Sequence, residues 1–380
     1  MPSTIVVAGL WARPLAESAR QAGWRVIALD LFGDADTQRA SASWSRVGDP
    51  TSFALSPGLL RDALLRASRE RDVVGWVAGS GFEALPDALD QHLPGLPLLG
   101  MDALSVRAVR DPARFFSTLD ALGLAHPEVS LRPPADPHGW LVKNAAGSGG
   151  WHIRRATDVS GAGAGSCYWQ RLQAGEPMSA LFLADGMQAR LVALNHLVVR
   201  PLGALPHVFH GAVGPVRDDA LARAVEDALS RLVPAFALRG LASLDFLAHA
   251  GSTWLLEVNP RPSATMVLYP DAWPDGLLRA HVDAVQGRLP AVAPLHPPGV
   301  RGCLTVFAEE PCRVGLGLAA ELARSADCHD LPPPGARFVC GDPVCSVSAE
   351  AELADAVLAA MDARVARLRA ELRPCEEIAA

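Results

Sequence analysis

Leu241-Ala242-Ser243-Leu244-Asp245-Phe246-Leu247 and Trp254-Leu255-Leu256-Glu257-Val258-Asn259-Pro260-Arg261 are two largely apolar runs on either side of Ala250-Gly251-Ser252. Apolar runs of this length around a glycine turn predict a β-hairpin. With the turn centred on Gly251, Asp245 and Glu257 lie at equal distance from the centre and face each other. Directly opposed Cβ atoms sit roughly 5 Å apart. Period-two alternation puts Glu257 and Asn259 on the face of Asp245 and turns Leu256 and Val258 to the other, the core face. Two opposed carboxylates repel unless a proton or a cation intervenes. Asp245, Glu257 and Asn259 on one rigid surface are hard oxygen ligands of the kind that suits Mg²⁺. The alternative is an exposed hairpin face with a harmless acidic pair. Asn259-Pro260-Arg261-Pro262 counts against it, because it ends the strand abruptly and aims a cation at the same edge.

A second stretch points the same way. Of the 34 basic side chains only Lys143 is a lysine, and the rest are arginines. A compact ammonium on a flexible stem can sit among phosphate oxygens where a planar guanidinium does not fit. Lys143 ends the apolar run Leu141-Val142, and Asn144-Ala145-Ala146-Gly147-Ser148-Gly149-Gly150 follows at once. A strand that delivers a lysine into a glycine-rich turn is a phosphate-binding arrangement; chance survival of one lysine on a solvated face is the plainer alternative.

Composition narrows the classes. A net charge of −7 argues against non-specific nucleic-acid binding, which needs a basic surface. Seven cysteines, an odd and scattered set, read as reduced thiols in a cytoplasmic protein. No apolar stretch approaches a membrane span, and the amino terminus lacks a signal-peptide pattern, so a soluble cytoplasmic protein without a membrane partner is expected.

Along the chain, strands are expected at Ile5–Ala8, Arg25–Asp30 and Val73–Ala78, with helical stretches from Pro14 to Ala22, Leu59 to Arg69 and Ala84 to His92. This alternation predicts a parallel sheet covered by helices. Trp11 and Pro14 after Gly9 break the dinucleotide fingerprint, so NAD is not expected. Open sheets place ligands at their strand ends, where two segments stand: the trio Asp30, Asp34, Asp36, read as a solvated loop, and Gly79-Ser80-Gly81-Phe82-Glu83. Helices follow at 102–109 and 112–122, the second behind an Asp111 cap. Gly161 to Gly165 is a connector. Strands at 167–172, 179–184 and 188–194, a helix at 218–236 and a closing helix at 349–372 complete the reading. His207 and His210 lack further partners at zinc spacing, which favours a pocket or surface role.

Together the lysine, the glycine loop and the acidic hairpin resemble the ATP-grasp superfamily, carboxylate–amine ligase branch. The hallmark Glu-x-Asn-Pro-Arg is Glu257-Val258-Asn259-Pro260-Arg261, and the lysine with its loop is Lys143 and Gly147-Ser148-Gly149-Gly150. The resemblance implies an α/β chain in three parts: a parallel-sheet pre-grasp domain over 1–99; a two-lobed α+β ATP-grasp domain over 100–290 (lobes about 100–165 and 166–290); and a small α+β closing domain over 291–380. It implies ATP and Mg²⁺ as cofactors. Lys143, with Ser148, Gly149 and Gly150 in the loop, would contact the phosphates. The strand carrying Gln170, Arg171 and Leu172 would read the adenine edge through its backbone. Asp245, Glu257 and Asn259 would hold the metal, and Arg261 would face the carboxylate or the phosphoryl group. Lys143 and Arg261 are then the catalytic pair.

This sequence departs from the pattern in three places. Arg110 or Arg114 stands where many relatives have a second phosphate lysine, Asn144 replaces a proline, and His152 replaces a small residue. The implied activity is ADP-forming ligation of a small-molecule carboxylate to an amine through an acyl phosphate. The most similar branch includes tyramine–glutamate ligases and proteins of tetrahydromethanopterin and methylofuran biosynthesis, so an amino-acid substrate in one-carbon cofactor synthesis is the finer expectation. Two alternatives stay open: a bicarbonate-using carboxylase of the biotin carboxylase or purine-pathway kind, and a non-catalytic ATP-binding protein. Dimerisation is common among relatives, so a homodimer is the implied assembly.

Overall fold

The computed structural model describes residues 2–159 and 167–375, and the expected connector from Gly161 to Gly165 lies outside them. The amino-terminal strands form the expected parallel sheet, with one more strand than the sequence showed. The order is Ser43–Arg46, Arg25–Asp30, Thr4–Ala8, Val73–Ala78. Thr4–Ala8 is buried along its whole length, as a central parallel strand must be. The helix Arg13–Gln21 carries Pro14 in its first turn, where the missing N–H costs nothing. The stretch from Ala84 to His92 forms only the 3₁₀ turn Pro86–Asp90. Between Pro86 and Pro94 there is room for about two turns, too few for a helix to sustain itself without a packed face.

The trio read as a solvated loop is buried: Asp30, Asp34 and Asp36 are 0, 9 and 7 % exposed. Asp30 accepts from the amides of Ala12, Phe32 and Gly33 and from Trp44 Nε1 (2.7 Å), so it stitches the ends of neighbouring strands together. Asp36 accepts from the amides of Asp330 and Leu331, nearly three hundred residues away. Nothing local in the sequence announces those partners.

Helices Ala103–Arg110 and Pro112–Ala121 share Asp111, which accepts from the amides of Ala113 (2.9 Å) and Arg114 (3.4 Å) as an N-cap. A small antiparallel sheet follows, in the order Val129–Ser130, Cys167–Arg171, Trp140–Asn144, Ile153–Arg155. The main body is an eight-stranded antiparallel sheet: Ser252–Asn259, Arg239–His249, Glu176–Asp185, Ala189–Leu202, Leu205–Val216, Val300–Phe307, Pro343–Ala351, Cys328–His329. Leu205–Val216 was not expected, and residues 349–351, read as the start of the last helix, belong to a strand. Residues 345–351 pair along residues 300–306, and the helix begins only at Ala354.

This sheet runs without a break past residue 291, because Val300–Phe307 pairs with Leu205–Val216. Helix Gly276–Val285 ties the sheet to the amino-terminal unit. Ser18 Oγ accepts from the Leu278 amide (2.9 Å), and His281 bridges the Leu241 amide and the Leu99 carbonyl. Among the described residues no helix is long and apolar enough to cross a membrane.

Candidate active site

The hairpin Arg239–His249 and Ser252–Asn259 places Asp245 opposite Glu257, but by a different route from simple centring. The turn is the residue pair Ala250 and Gly251, both left-handed (φ 48° and 79°), and His249 pairs with Ser252. Continuing that register would miss Glu257. A bulge between Asp245 and Phe246 absorbs Leu256: Phe246 pairs with Leu255 and Asp245 with Glu257. Leu256 consequently lines the cavity beside Glu257 instead of facing the core, while Leu255 and Val258 are buried.

On the cavity face, Ser179 donates to Asp245 Oδ1 (2.7 Å) and Asn259 Nδ2 to Asp245 Oδ2 (3.0 Å). Burial, then the charge of Glu257, pushes the Asp245 carboxyl up to about 7. Burial pushes Glu257 in the same direction, but Arg110 first, and then Lys143, outweigh it and hold Glu257 below its usual range. With the Asn259 amide oxygen, the two carboxylates put oxygen donors on one face of the cavity, a set that a divalent ion could satisfy.

Lys143 lies across the same cavity of ≈ 270 Å³, 8 % exposed, its ammonium donating to Gln170 Oε1 at 2.6 Å. Burial lowers its pKa. Gln170 is 1 % exposed, and its Nε2 has no partner among the described residues. A buried amide donor without an acceptor is costly unless a ligand supplies one. The backbone amides of Arg171 and Leu172 are committed to the carbonyls of Glu128 and Gly139 (both 2.8 Å), so they are not free to read a ligand edge. Arg171's guanidinium stacks over Trp140 at the surface, and Leu172 is exposed, although both residues reach the cavity rim.

The glycine loop folds down on strand Leu205–Val216, with the Phe209 amide donating to the Gly149 carbonyl (3.0 Å). Gly150 sits at φ 81°, and a Cβ there would lie 1.8 Å from the His207 carbonyl oxygen, so only glycine allows this approach. A Cβ on Gly147 would strike the His152 ring at 2.2 Å. Gly149 also lines a second, larger cavity of ≈ 530 Å³, and Ser148 lines only that one of the two. His152 is pushed down to about 4 by burial, and so is neutral in the closed loop. His207 lines the first cavity, whereas His210 packs on Phe307 (ring centroids 4.8 Å apart).

Arg110 holds the loop from below. It donates to the carbonyls of Ala145 (2.7 and 3.0 Å) and Gly147 (2.5 Å) and pairs with Glu257 Oε2 (2.9 Å). Of the two arginines expected near this position, Arg110 enters the site and Arg114 is exposed. Arg261 lines both cavities and pairs with the buried Glu83 (2.5 Å), whose other oxygen accepts from the Gly81 amide. That pair brings 79–83, singled out at a strand end, to the same place as the hairpin motif 257–261. Ser179 and Ser243, which orient Asp245 and Asn259, carried no sequence signal; they are ordinary serines made important by strand pairing.

Comparison with known proteins covers the segment that holds these residues. Residues 109–265 match the sequence profile described as the ATP-grasp domain. The chain is 28 % identical over 246 residues to the carbamoyl phosphate synthase large chain of Thermomicrobium roseum; the match takes in 53 % of this chain but only 22 % of that protein's length. The fold is similar to a biotin carboxylase from Campylobacter jejuni (TM-score 0.72, 13 % identity, 98 % of this chain and 92 % of that one). It is also similar to N5-carboxyaminoimidazole ribonucleotide synthetase from Thermus thermophilus (TM-score 0.66, 18 % identity, 98 % and 100 %). A third likeness is to the biotin carboxylase domain of Hydrogenobacter thermophilus 2-oxoglutarate carboxylase, described with MgADP and bicarbonate (TM-score 0.72, 12 % identity, 96 % and 89 %). Lys143, the folded glycine loop and the acidic hairpin all fall within residues 109–265, the part of the chain that matches the ATP-grasp domain.

Proposed function

We propose that this protein is an ATP-dependent, ADP-forming ligase that joins a small carboxylic acid to an amine. The observation that carries the reading is one cavity walled by Lys143, the glycine loop and the Asp245/Glu257 pair, with Gln170 Nε2 left unpartnered inside it. Lys143 would bind the transferring phosphate, and Arg110 would keep the loop closed over it. Asp245, Glu257 and Asn259 would hold Mg²⁺, which offsets phosphate charge when bound. The acid's oxygen attacks the γ-phosphorus, the bridging P–O bond breaks, and ADP leaves with that electron pair. The neutral amine then adds to the acyl carbon, inorganic phosphate departs, and the amine's proton is lost to solvent. Arg261, common to both cavities, would hold the acid's carboxylate where the two halves of the reaction meet. Loop closure would keep water from the acyl phosphate.

The finer reading is an amino-acid substrate in one-carbon cofactor synthesis, and it rests on the motif resemblance. The likeness in fold to carboxylases supports a second reading, in which bicarbonate is the acid. Calorimetry tests the nucleotide site: MgATP should bind wild type and fail to bind Lys143→Arg. If well-folded wild type ignores millimolar MgATP, the ligase reading falls. ADP release driven by bicarbonate alone would select the carboxylase.

A further inference from the structure

The second cavity, of ≈ 530 Å³, meets the first at Arg261 and Gly149. Its wall is a run of aromatic rings contributed by three regions of the chain. Phe32 and Phe53 lie 5.9 Å apart, Phe53 and Trp151 stack at 6.1 Å and 21°, and Trp151 meets Phe307 edge-on at 5.9 Å. Phe53 is held at φ 49°, a conformation that costs a non-glycine residue roughly 1 kcal/mol or more, so the surrounding fold imposes the ring's place.

One side chain in this cavity has no structural account. Asp34 lines it, is 9 % exposed, and makes no side-chain hydrogen bond or ion pair among the described residues. It stands at the N-cap of helix Ala35–Ala40, yet it caps nothing. The acids around it are satisfied: Asp30 by amides and Trp44, Asp36 by the Asp330 and Leu331 amides, and Asp330 by Arg13 and Trp11. Arg13, the nearby cation, is committed to Glu17, Asp36 and Asp330. Burial, then the charges of Asp330, Asp30 and Asp36, holds the Asp34 carboxyl well above its ordinary range. A buried carboxylate without a partner is strongly disfavoured unless a ligand supplies one. Asp34 lines only this cavity, whereas Lys143, Asp245 and Glu257 line only the first. The arginines Arg46 and Arg337 also border the cavity, but both are exposed.

We propose that this cavity takes a two-ended acceptor: its reacting amine lies near Arg261, its apolar body lies along the Phe32, Phe53 and Trp151 rings, and a second, non-reacting cationic nitrogen is bound by Asp34. The assignment of the reacting end rests on the ligase reading; the cation site at Asp34 does not. Aromatic walls favour an organic cation over a hydrated metal ion, because ring faces attract it and cover its apolar body.

The test is a ligand-observed NMR titration of the nucleotide-free full chain with three probes of one shape: para-xylylenediamine, para-methylbenzylamine and para-(aminomethyl)benzoate. The diamine should bind wild type about tenfold more tightly than the methyl compound, the scale of a charge-assisted contact, and the benzoate should bind worst. In Asp34→Asn the diamine's advantage should vanish. The same variant should melt at a higher temperature than wild type, since it removes an unpaired buried charge; a purely structural Asp34 would melt lower on substitution. Equal binding of the three probes, no binding of any, or a diamine preference that survives in Asp34→Asn would each overturn the proposal. If Asp34→Asn fails to fold, Asp34 is structural and the proposal fails with it. MgATP calorimetry is read separately, so absence of a diamine preference in wild type that still binds MgATP would sink this inference and spare the ligase reading.

Discussion

Arg110 is the residue on which the cavity around Lys143 turns. One guanidinium reaches the Ala145 and Gly147 carbonyls and the Glu257 carboxylate, so it couples the loop's shape to the charge of the hairpin. Lysine has the charge but not the fork, and cannot make the same set of contacts. Arg110→Lys should therefore weaken MgATP binding about tenfold, or ~1.4 kcal/mol, by loosening the loop while leaving Glu257 paired. Arg110→Met should weaken it further, because Glu257 and Asp245 would then face each other without a nearby cation from that side. Calorimetric titration of both variants checks the order; equal losses would mean that Arg110 acts through charge alone. The sequence marked this position only as one where relatives carry a lysine. It could not show where the side chain goes, because Glu257 lies 147 residues further on.

Among the elements, the hairpin shows what periodicity can and cannot reveal. Both strands, their turn and the facing carboxylates were legible from alternation. The bulge was not, since an extra residue in one strand leaves no mark in an apolar run, and it moved Leu256 from core to cavity. The long strand Leu205–Val216 stayed hidden for a related reason: Pro206, His207, His210 and Gly214 interrupt its pattern, and its neighbours supply the order. Helix Gly276–Val285 was hidden as well, and it carries the element-scale prediction. His281 accepts from the Leu241 amide through Nδ1 and meets the Leu99 carbonyl through Nε2, which requires the neutral ring. Burial holds its pKa down to about 4. A histidine depressed on folding contributes stability that is fully present above its unfolded value and is lost as pH falls toward the folded one. Between pH 7 and pH 5 that share comes to about 2 kcal/mol. Urea unfolding should show His281→Asn to be less stable than wild type at pH 7, with the gap narrowing by roughly that amount at pH 5. A gap that stays constant would mean the ring is not held neutral.

At the scale of the molecule, the expected division at 291 meets a sheet that does not stop there, and the amino-terminal unit is bound to the carboxy-terminal region through one buried node. Arg13, 2 % exposed, pairs with Asp330 at 2.6 Å and lies 3.7 Å from Asp36, while Asp36 accepts the Asp330 and Leu331 amides. Burial works against the Arg13 charge, but Asp330 and Glu17 outweigh it and raise its pKa. Removing one partner of a buried pair leaves the other desolvated and uncompensated, which costs several times more than breaking a pair at the surface. Asp330→Ala should therefore lower unfolding stability by about 2–4 kcal/mol, little affected by salt, since the pair is shielded from solvent ions. The contrasting case is Arg200 with Asp362, a bidentate pair with both side chains more than a third exposed. Arg200→Ala should cost less than about 1 kcal/mol, and less still at high salt. Because Asp330 also borders the aromatic cavity, a large loss in Asp330→Ala would make the node a condition for the site's existence: the corner that holds Asp34 is built only when both ends of the chain meet. Denaturant titrations at low and high salt decide it, and similar small losses in both variants would show that the two ends are held together by the sheet and the Gly276–Val285 helix alone.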